Sequence, residues 1–281
     1  MKQAFMTSVA LLSMVIALGG CHATQKHAIS ESSSTVTKKT SPKISNQESS
    51  KASQESSKTS KMASSSVASQ PMTSKKSESR LDTLNAALIK VIGNNKKPMA
   101  DGLDSDSDNL NMRYTTNKYG YTIYYSVGNT PKNFNDGTVA SEKPYATFSK
   151  TAYSSMDKAD KAVPYIDPKG LPAVDLGNGR KAYSDLSAGS SGLVWKAGRW
   201  SVMVTSVTGG GIGENGVPAT KKVMALFDKY TLPVPNKVGG VLFRATPVDL
   251  SQTIIWQEGA TVYSLSAHST ETAIKMASSV K

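Results

Sequence analysis

The sequence predicts an α+β fold, an antiparallel β-sheet with short helices packed on one face. Three observations carry that expectation. Short apolar–polar alternations bounded by turn residues recur through residues 81–281, as half-buried strands require. Two stretches, "GLVWKAGRWSVMVTS" and "TIIWQEGATVYSLSA", share a frame in which Trp195 and Gly198 match Trp256 and Gly259. Each reads as a strand, a tight turn at glycine and a second strand. The helical segments carry a single apolar stripe, such as Val223, Leu226, Phe227 and Tyr230, which suits packing against a sheet.

Taken in order, "LDTLNAALIKVIG" places Leu81, Leu84, Leu88 and Val91 on one helical face, with Gly93 as the C-cap. A polar loop follows. "MRYTTNKYGYTIYYSVG" reads as a hairpin turning near Asn117 to Gly120, and "YATFSKTAY" as a further strand. "SSMDKADKAVPYI" gives a short helix ending near Pro164. The two framed hairpins are each preceded by strand-like sequence, "GRKAYSDLSAG" and "GGVLFRATP". Each is followed by a helix, "PATKKVMALFDKY" and "STETAIKMASSV". The unit is β-β-β-α, present twice, and the tyrosine-rich hairpin with its next strand and short helix is a third, diverged copy. Some 200 residues suffice for one core.

The region before residue 81 has a different composition. Lys2 is followed by a mostly apolar, uncharged run from Ala4 to Leu18, the length of a signal-peptide core and short of the roughly 20 residues of a membrane span. Gly19, Gly20 and Cys21, the only cysteine, come next. One thiol excludes an intramolecular disulfide and a multi-cysteine zinc site. Residues 22–80 are Ser, Lys, Thr, Gln, Glu and Ala without an aromatic. Such a composition cannot offset its ordering entropy. As a flexible coil it would span roughly 40–46 Å. The net charge is +12, and half of it lies in this tract, which carries 10 basic and 4 acidic side chains. The expected organisation is a leader at 1–20, a tether at 21–80 and one folded domain at 81–281.

Leu18-Gly19-Gly20-Cys21 resembles the lipobox of bacterial lipoproteins: an aliphatic residue, two small residues, then cysteine. The resemblance implies a diacylglyceryl group on the Cys21 thiol and cleavage before it by signal peptidase II, with Leu18, Gly19 and Gly20 as the recognition residues. Two acyl chains hold a protein on a membrane far better than one. Followed by the Ser/Lys/Thr tract, the motif is similar to those of surface lipoproteins of Gram-positive bacteria, lactic-acid bacteria among them. Membrane lipid is then the first partner, and the extracytoplasmic face of the cell membrane the location. No wall-sorting signal precedes Lys281, so an N-terminal anchor alone is expected.

Several stretches of the domain are candidates for chemistry. "GGGIGENG" holds Gly211, Gly213 and Gly216 in a G-x-G-x-x-G. A dinucleotide role is disfavoured because the helix follows a hairpin rather than sitting in a parallel β-α-β unit, and because no acidic residue stands about 20 positions on. A glycine-rich loop before a helix can still take an anion. Lys221 and Lys222, read as part of the first turn, would be poorly placed on the dipole unless an anion visits, so these five residues form a candidate anion loop. Asp101, Asp104, Asp106 and Asp108 begin like a calcium loop, but Asn109 and Thr115 stand where glycine and glutamate are needed. Ser155-Met156-Asp157-Lys158 matches S-x-x-K without its companion motifs, and Ser155 is better read as a helix cap. His268 is a possible base with no nucleophile elbow. Tyr119, Tyr121 and Tyr125 share one face of the hairpin, as core or as a stacking platform.

No catalytic residue, metal ligand or cofactor is assigned. Nucleic acid is disfavoured as a partner for want of any helix-turn-helix, zinc-finger or aromatic RNA-binding signature. The expected function is a lipid-anchored, non-enzymatic binding domain in the cell envelope, with anionic wall polymer or an envelope protein as partner. The alternatives are a carrier holding an apolar or anionic ligand on a concave sheet, and a wall-active enzyme.

Overall fold

The computed structural model describes residues 78–105, 107–187, 190–207 and 216–281. Ser79 caps helix α1 (Arg80–Ile92) in a capping box: its Oγ accepts from the Asp82 amide at 3.2 Å, and the Asp82 carboxylate accepts from the Ser79 amide at 3.3 Å. The helix ends where Gly93 takes φ 62° and donates to the Ile89 carbonyl. Leu81, Leu84 and Leu88 are buried as expected, but Val91 is 49 % exposed and Ile92 takes its place. After Leu88 the apolar stripe advances by four residues, which turns Val91 outward.

Ten strands among the described residues form one sheet: β1 (Leu110–Asn117), β2 (Gly120–Val127), β3 (Ala146–Ala152), β4 (Ala173–Gly177), β5 (Arg180–Ser187), β6 (Ser190–Ala197), β7 (Trp200–Val207), β8 (Gly239–Arg244), β9 (Gln252–Glu258) and β10 (Thr261–Ala267). Their spatial order is β1-β2-β3-β10-β9-β8-β7-β6-β5-β4. Helices α2 (Met156–Lys161), α3 (Gly216–Lys229) and α4 (Thr270–Ser278) complete the fold. The fold is therefore α+β, and the β-β-β-α unit is visible as three meanders laid side by side. The framed turns are alike: Ala197 pairs with Trp200 and Glu258 with Thr261, leaving Gly198-Arg199 and Gly259-Ala260 as two-residue loops. Their glycines adopt φ 62° and 61°, the positive φ that such hairpin turns need at their first central residue. In the first meander the tight turn lies between β1 and β2 instead, and a longer connection holding a 3₁₀ turn (Gly137–Ser141) joins β2 to β3.

Two features go beyond the expected scheme. The edge strand β4 is additional; it is short and breaks register between Asp175 and Gly177, features that protect an edge from further pairing. The β7–β8 pair is parallel, so α3 is the crossover of a β-α-β unit rather than a helix appended to a hairpin. Parallel neighbours need such a connection. The sequence-based objection that no parallel unit surrounds the Gly211–Gly216 motif is thereby corrected.

The core centres on Trp256, fully buried, with ring centroids of Tyr263, Phe148 and Trp200 at 5.4, 6.1 and 6.3 Å. These rings come from β10, β3 and β7, so one aromatic cluster fastens all three meanders together. Its indole N–H is used: Nε1 donates to Glu258 at 3.0 Å, and Glu258 also holds Lys96 at 2.7 Å. Helices α1, α3 and α4 cover this face through Leu84, Leu88, Val223, Met224, Ile274 and Met276. Tyr121 and Tyr125 belong to the same core, as the packing reading of that hairpin expects, but Tyr119 stands in the β1–β2 turn and is 54 % exposed. Helix α2 packs on the opposite face, where Ala159 and Val163 meet Val262.

Residues 153–172 link β3 to the far edge strand β4, so they must cross the sheet, and they do so on that second face. Gly240 lies so close to the Pro164 carbonyl that a Cβ there would stand 2.4 Å from its oxygen. Ser201 Oγ donates to the Ile166 carbonyl at 2.8 Å and accepts from its amide at 3.1 Å. Asp167 pairs with Lys196 at 3.0 Å. The segment is a strap fastened to β8, β7 and β6 in turn.

Candidate functional site

Strand alternation sends every second residue to the face without the helical layer. The ladder register assembles those residues into rows. One row runs Thr115, Thr122, Ser149 and Ser264 from β1 to β10, continues through Ile255, Gly240 and Ser201, and ends at Lys196 on β6. Its middle lies beneath the strap and α2. The next row is Arg113, Tyr124, Thr147, Ser266 and Thr253 from β1 to β9. It goes on through Leu242, Met203 and Val194 to Tyr183 on β5. Apart from buried Val194, every member of this second row is half-buried.

The open part of this face is built of hydroxyls. Thr122, Ser149, Ser264, Thr147, Ser266 and Thr253 stand on four neighbouring strands, all half-buried. Adjacent strands are about 4.8 Å apart, so the hydroxyls form a regular polar lattice. Thr253 Oγ1 and Ser266 Oγ are 3.2 Å apart and share a hydrogen bond. At the β1 end the Arg113 guanidinium lies over the Tyr124 ring at 3.6 Å, a cation–π pair facing the same side. At the β5 end a cleft of about 580 Å³ opens between the strap and the sheet, lined by Lys169, Lys181, Tyr183, Lys196 and Asp167 among others. There the hydrogen bond from Lys196 holds the Asp167 carboxyl below its usual range, and the same bond raises the Lys196 ammonium.

The residues singled out from sequence are scattered by the fold. Leu18, Gly19, Gly20 and Cys21 lie outside the described residues, as do Gly211, Gly213 and Asp106. Gly216 is the buried first residue of α3. Because α3 starts there, Lys221 and Lys222 stand in its second turn, beyond the exposed amides, which corrects their expected position. Lys222 is paired with Glu271 of α4 at 2.5 Å. Its charge therefore has a partner within the fold and needs no visiting anion to explain it. Of the aspartates, Asp104 pairs with Lys275 at 2.7 Å, while Asp101 and Asp108 line a cleft beside the start of α1. Among the described residues no group of three or more His, Cys, Asp or Glu side chains is placed to hold a metal ion.

Ser155 caps α2, its hydroxyl accepting from the Lys158 amide at 3.2 Å. His268 is exposed; its Nδ1 lies 3.3 Å from the Tyr145 carbonyl and its ring meets that of Tyr145 edge-on at 5.8 Å. The neighbouring Ser269 hydroxyl is engaged at the start of α4, accepting from the Thr272 amide at 3.1 Å and donating to Thr272 Oγ1 at 2.9 Å.

The hydroxyl rows and the Lys169–Lys181–Lys196 cleft were not singled out from sequence, although one signal was present. In "YATFSKTAY" and "TVYSLSA" the positions alternating with the apolar ones are mostly Thr and Ser rather than charged residues. A sheet face simply exposed to water is more often rich in charge. The cleft had no comparable signal, since it depends on where the strap crosses. No protein-family model matches the chain, no curated protein is detectably similar to it, and no solved structure matches its fold.

Proposed function

We propose that the chain is a lipid-anchored surface protein whose folded domain binds an extended, hydroxyl-bearing polymer of the cell envelope along the open face of its sheet. The observation that carries this is the lattice of Ser and Thr hydroxyls on β2, β3, β10 and β9, opposite the helical layer. Hydroxyl side chains both donate and accept, so a regular array of them suits a polyhydroxylated chain. The strap confines one margin of the lattice, leaving a track that crosses the strands rather than an enclosed cavity. The lipobox-like Leu18-Gly19-Gly20-Cys21 and the basic tract after it support attachment to the outer face of the membrane, with the domain reaching out into wall material.

Two measurements test the two halves of this reading. Cells expressing the chain and fed labelled palmitate should incorporate the label into it, and Cys21→Ala should abolish that incorporation; label retained in the variant removes the anchor. The full chain should co-sediment with purified insoluble wall material. The triple variant Ser149→Ala, Ser264→Ala, Ser266→Ala should bind about tenfold or more weakly, three hydrogen bonds at about 0.5–1.5 kcal/mol each being lost. Undiminished co-sedimentation by the folded triple variant would show that the open face is not the binding surface.

A further inference from the structure

We propose that the cleft between the strap and strands β5 and β6 is a phosphate subsite, so that the polymer held along the open face is a phosphodiester chain. The inference rests on the reading of that face as a polymer-binding surface and adds the chemical class of its ligand.

Charge is the first observation. Lys169, Lys181 and Lys196 all line this cleft, and Asp167 is its only carboxylate. Elsewhere in the described domain some lysines are matched to acids, Lys96 with Glu258, Lys222 with Glu271, Lys237 with Asp160 and Lys275 with Asp104, while others such as Lys90 and Lys161 form no salt bridge. The cleft is set apart by the gathering of three ammonium groups around one carboxylate. In the cleft only Lys196 has such a match. Asp175 lies across from Lys181 in the β4–β5 ladder, but its carboxylate accepts from the Gly177 amide at 2.9 Å and is not part of the cleft.

Register is the second. Tyr183 stands opposite Val194, and continuing that register by two residues carries Lys181 towards Lys196 on the same face. Like charges across a pair of strands destabilise it. An arrangement of this kind is relieved by an anion placed between the two ammonium groups. Asp167 already shows that the site accepts an oxyanion: its carboxylate takes a 3.0 Å contact from Lys196 Nζ and a 3.0 Å hydrogen bond from the Lys169 amide. A phosphate oxygen in the same place would gain Lys181 and the Lys169 side chain as well.

Continuity is the third. Tyr183, at the mouth of the cleft, ends the same cross-strand row that contains Thr147, Ser266 and Thr253. Lys196 ends the row that contains Ser149 and Ser264. From β10 to β6 is four strand spacings, about 19 Å. The strap covers the Ser149–Lys196 row at Gly240 and Ser201. An extended chain would follow the Thr147–Tyr183 row, crossing hydroxyls on β3, β10 and β9, then Leu242, Met203 and Val194, to reach the cleft. The ligand is therefore a polymer phosphodiester.

The test uses the full chain with short-chain sodium polyphosphate as probe, at low and at physiological salt. Binding should weaken as salt screens the charges. Lys181→Gln, which breaks no ion pair of the fold, should lower affinity by about tenfold, the loss expected for one charge-assisted contact. Asp167→Asn should raise affinity, because it removes the carboxylate that competes for Lys196; a merely structural role for Asp167 predicts no such gain. Lys221→Gln with Lys222→Gln should leave binding unchanged. Polyphosphate binding untouched by Lys181→Gln, or weakened by Asp167→Asn, overturns the subsite. Lys181-dependent binding to phosphatidylglycerol vesicles without binding to polyphosphate overturns the polymer assignment. Neither result bears on the wall co-sedimentation of the hydroxyl variants, which tests the open face separately.

Discussion

Gln252 is fully buried, yet both ends of its amide are used. Nε2 donates to the Arg244 carbonyl at 3.2 Å and Oε1 accepts from the Arg244 amide at 3.1 Å. The side chain extends the β8–β9 ladder beyond its last backbone pair, Leu242 with Thr253. Tyr125 is the opposite case. It is equally buried, in the core above β2, and its hydroxyl has no partner. A buried polar group left unpaired costs about 1–3 kcal/mol, whereas its ring contributes to the core as phenylalanine would. Tyr125→Phe should therefore stabilise the domain by about 1 kcal/mol, raising Tm by about 2–4 °C for a chain of this size. A thermal melt of the two proteins decides it; an unchanged or lower Tm would mean that the hydroxyl holds a partner such as a buried water.

The elements differ in how far the sequence discloses them, and the difference has a physical origin. The Trp195–Gly198 and Trp256–Gly259 hairpins are legible because local chemistry determines them: alternation fixes the strands and a glycine at positive φ fixes the turn. Helices α1, α3 and α4 are legible for the same kind of reason, each having one apolar stripe. Partner choice between elements is not local. Nothing in "GGVLFRATP" distinguishes a strand lying parallel to β7 from one lying antiparallel, so the crossover role of α3 emerges only in the assembled sheet. Helix α2 has six residues and too little apolar surface to declare which face it covers. The strap illustrates the same limit at Gly240 and Ser201. A glycine and a serine inside strands look like weak strand formers, while in the fold they are what admits the Pro164 carbonyl and anchors Ile166. The hydroxyl rows sit between these cases: their residues alternate visibly, but only the register of β3, β10 and β9 turns them into one surface.

At the scale of the whole molecule, carboxylates of depressed pKa tie together parts that are distant in sequence. Asp104 in the loop after α1 holds Lys275 of α4, and its hydrogen bond with that lysine lowers its carboxyl. Asp167 in the strap is lowered by Lys196 of β6. For Glu271 of α4, partial burial pushes the carboxyl up, but hydrogen bonds from Lys222 of α3 and from its own amide outweigh that and leave it lowered. Groups depressed in the fold contribute stability above their unfolded values, about 4, and lose it as pH falls through the folded values. The opposite limb belongs to the tyrosines. Burial raises Tyr125, Tyr145, Tyr121 and Tyr263, so their contribution is complete below the unfolded value of about 10 and fades as pH rises above it. Tm should then be flat between about pH 5 and 9 and fall on either side. The acid limb, made of exposed pairs, should be shallow and should flatten further in high salt. The alkaline limb, made of buried phenols, should be steep and insensitive to salt, and Tyr125→Phe should make it shallower by removing one ionising group. Melting curves across this pH range at two salt concentrations separate the limbs; an alkaline limb that Tyr125→Phe leaves unaltered would show that this buried phenol does not govern stability there.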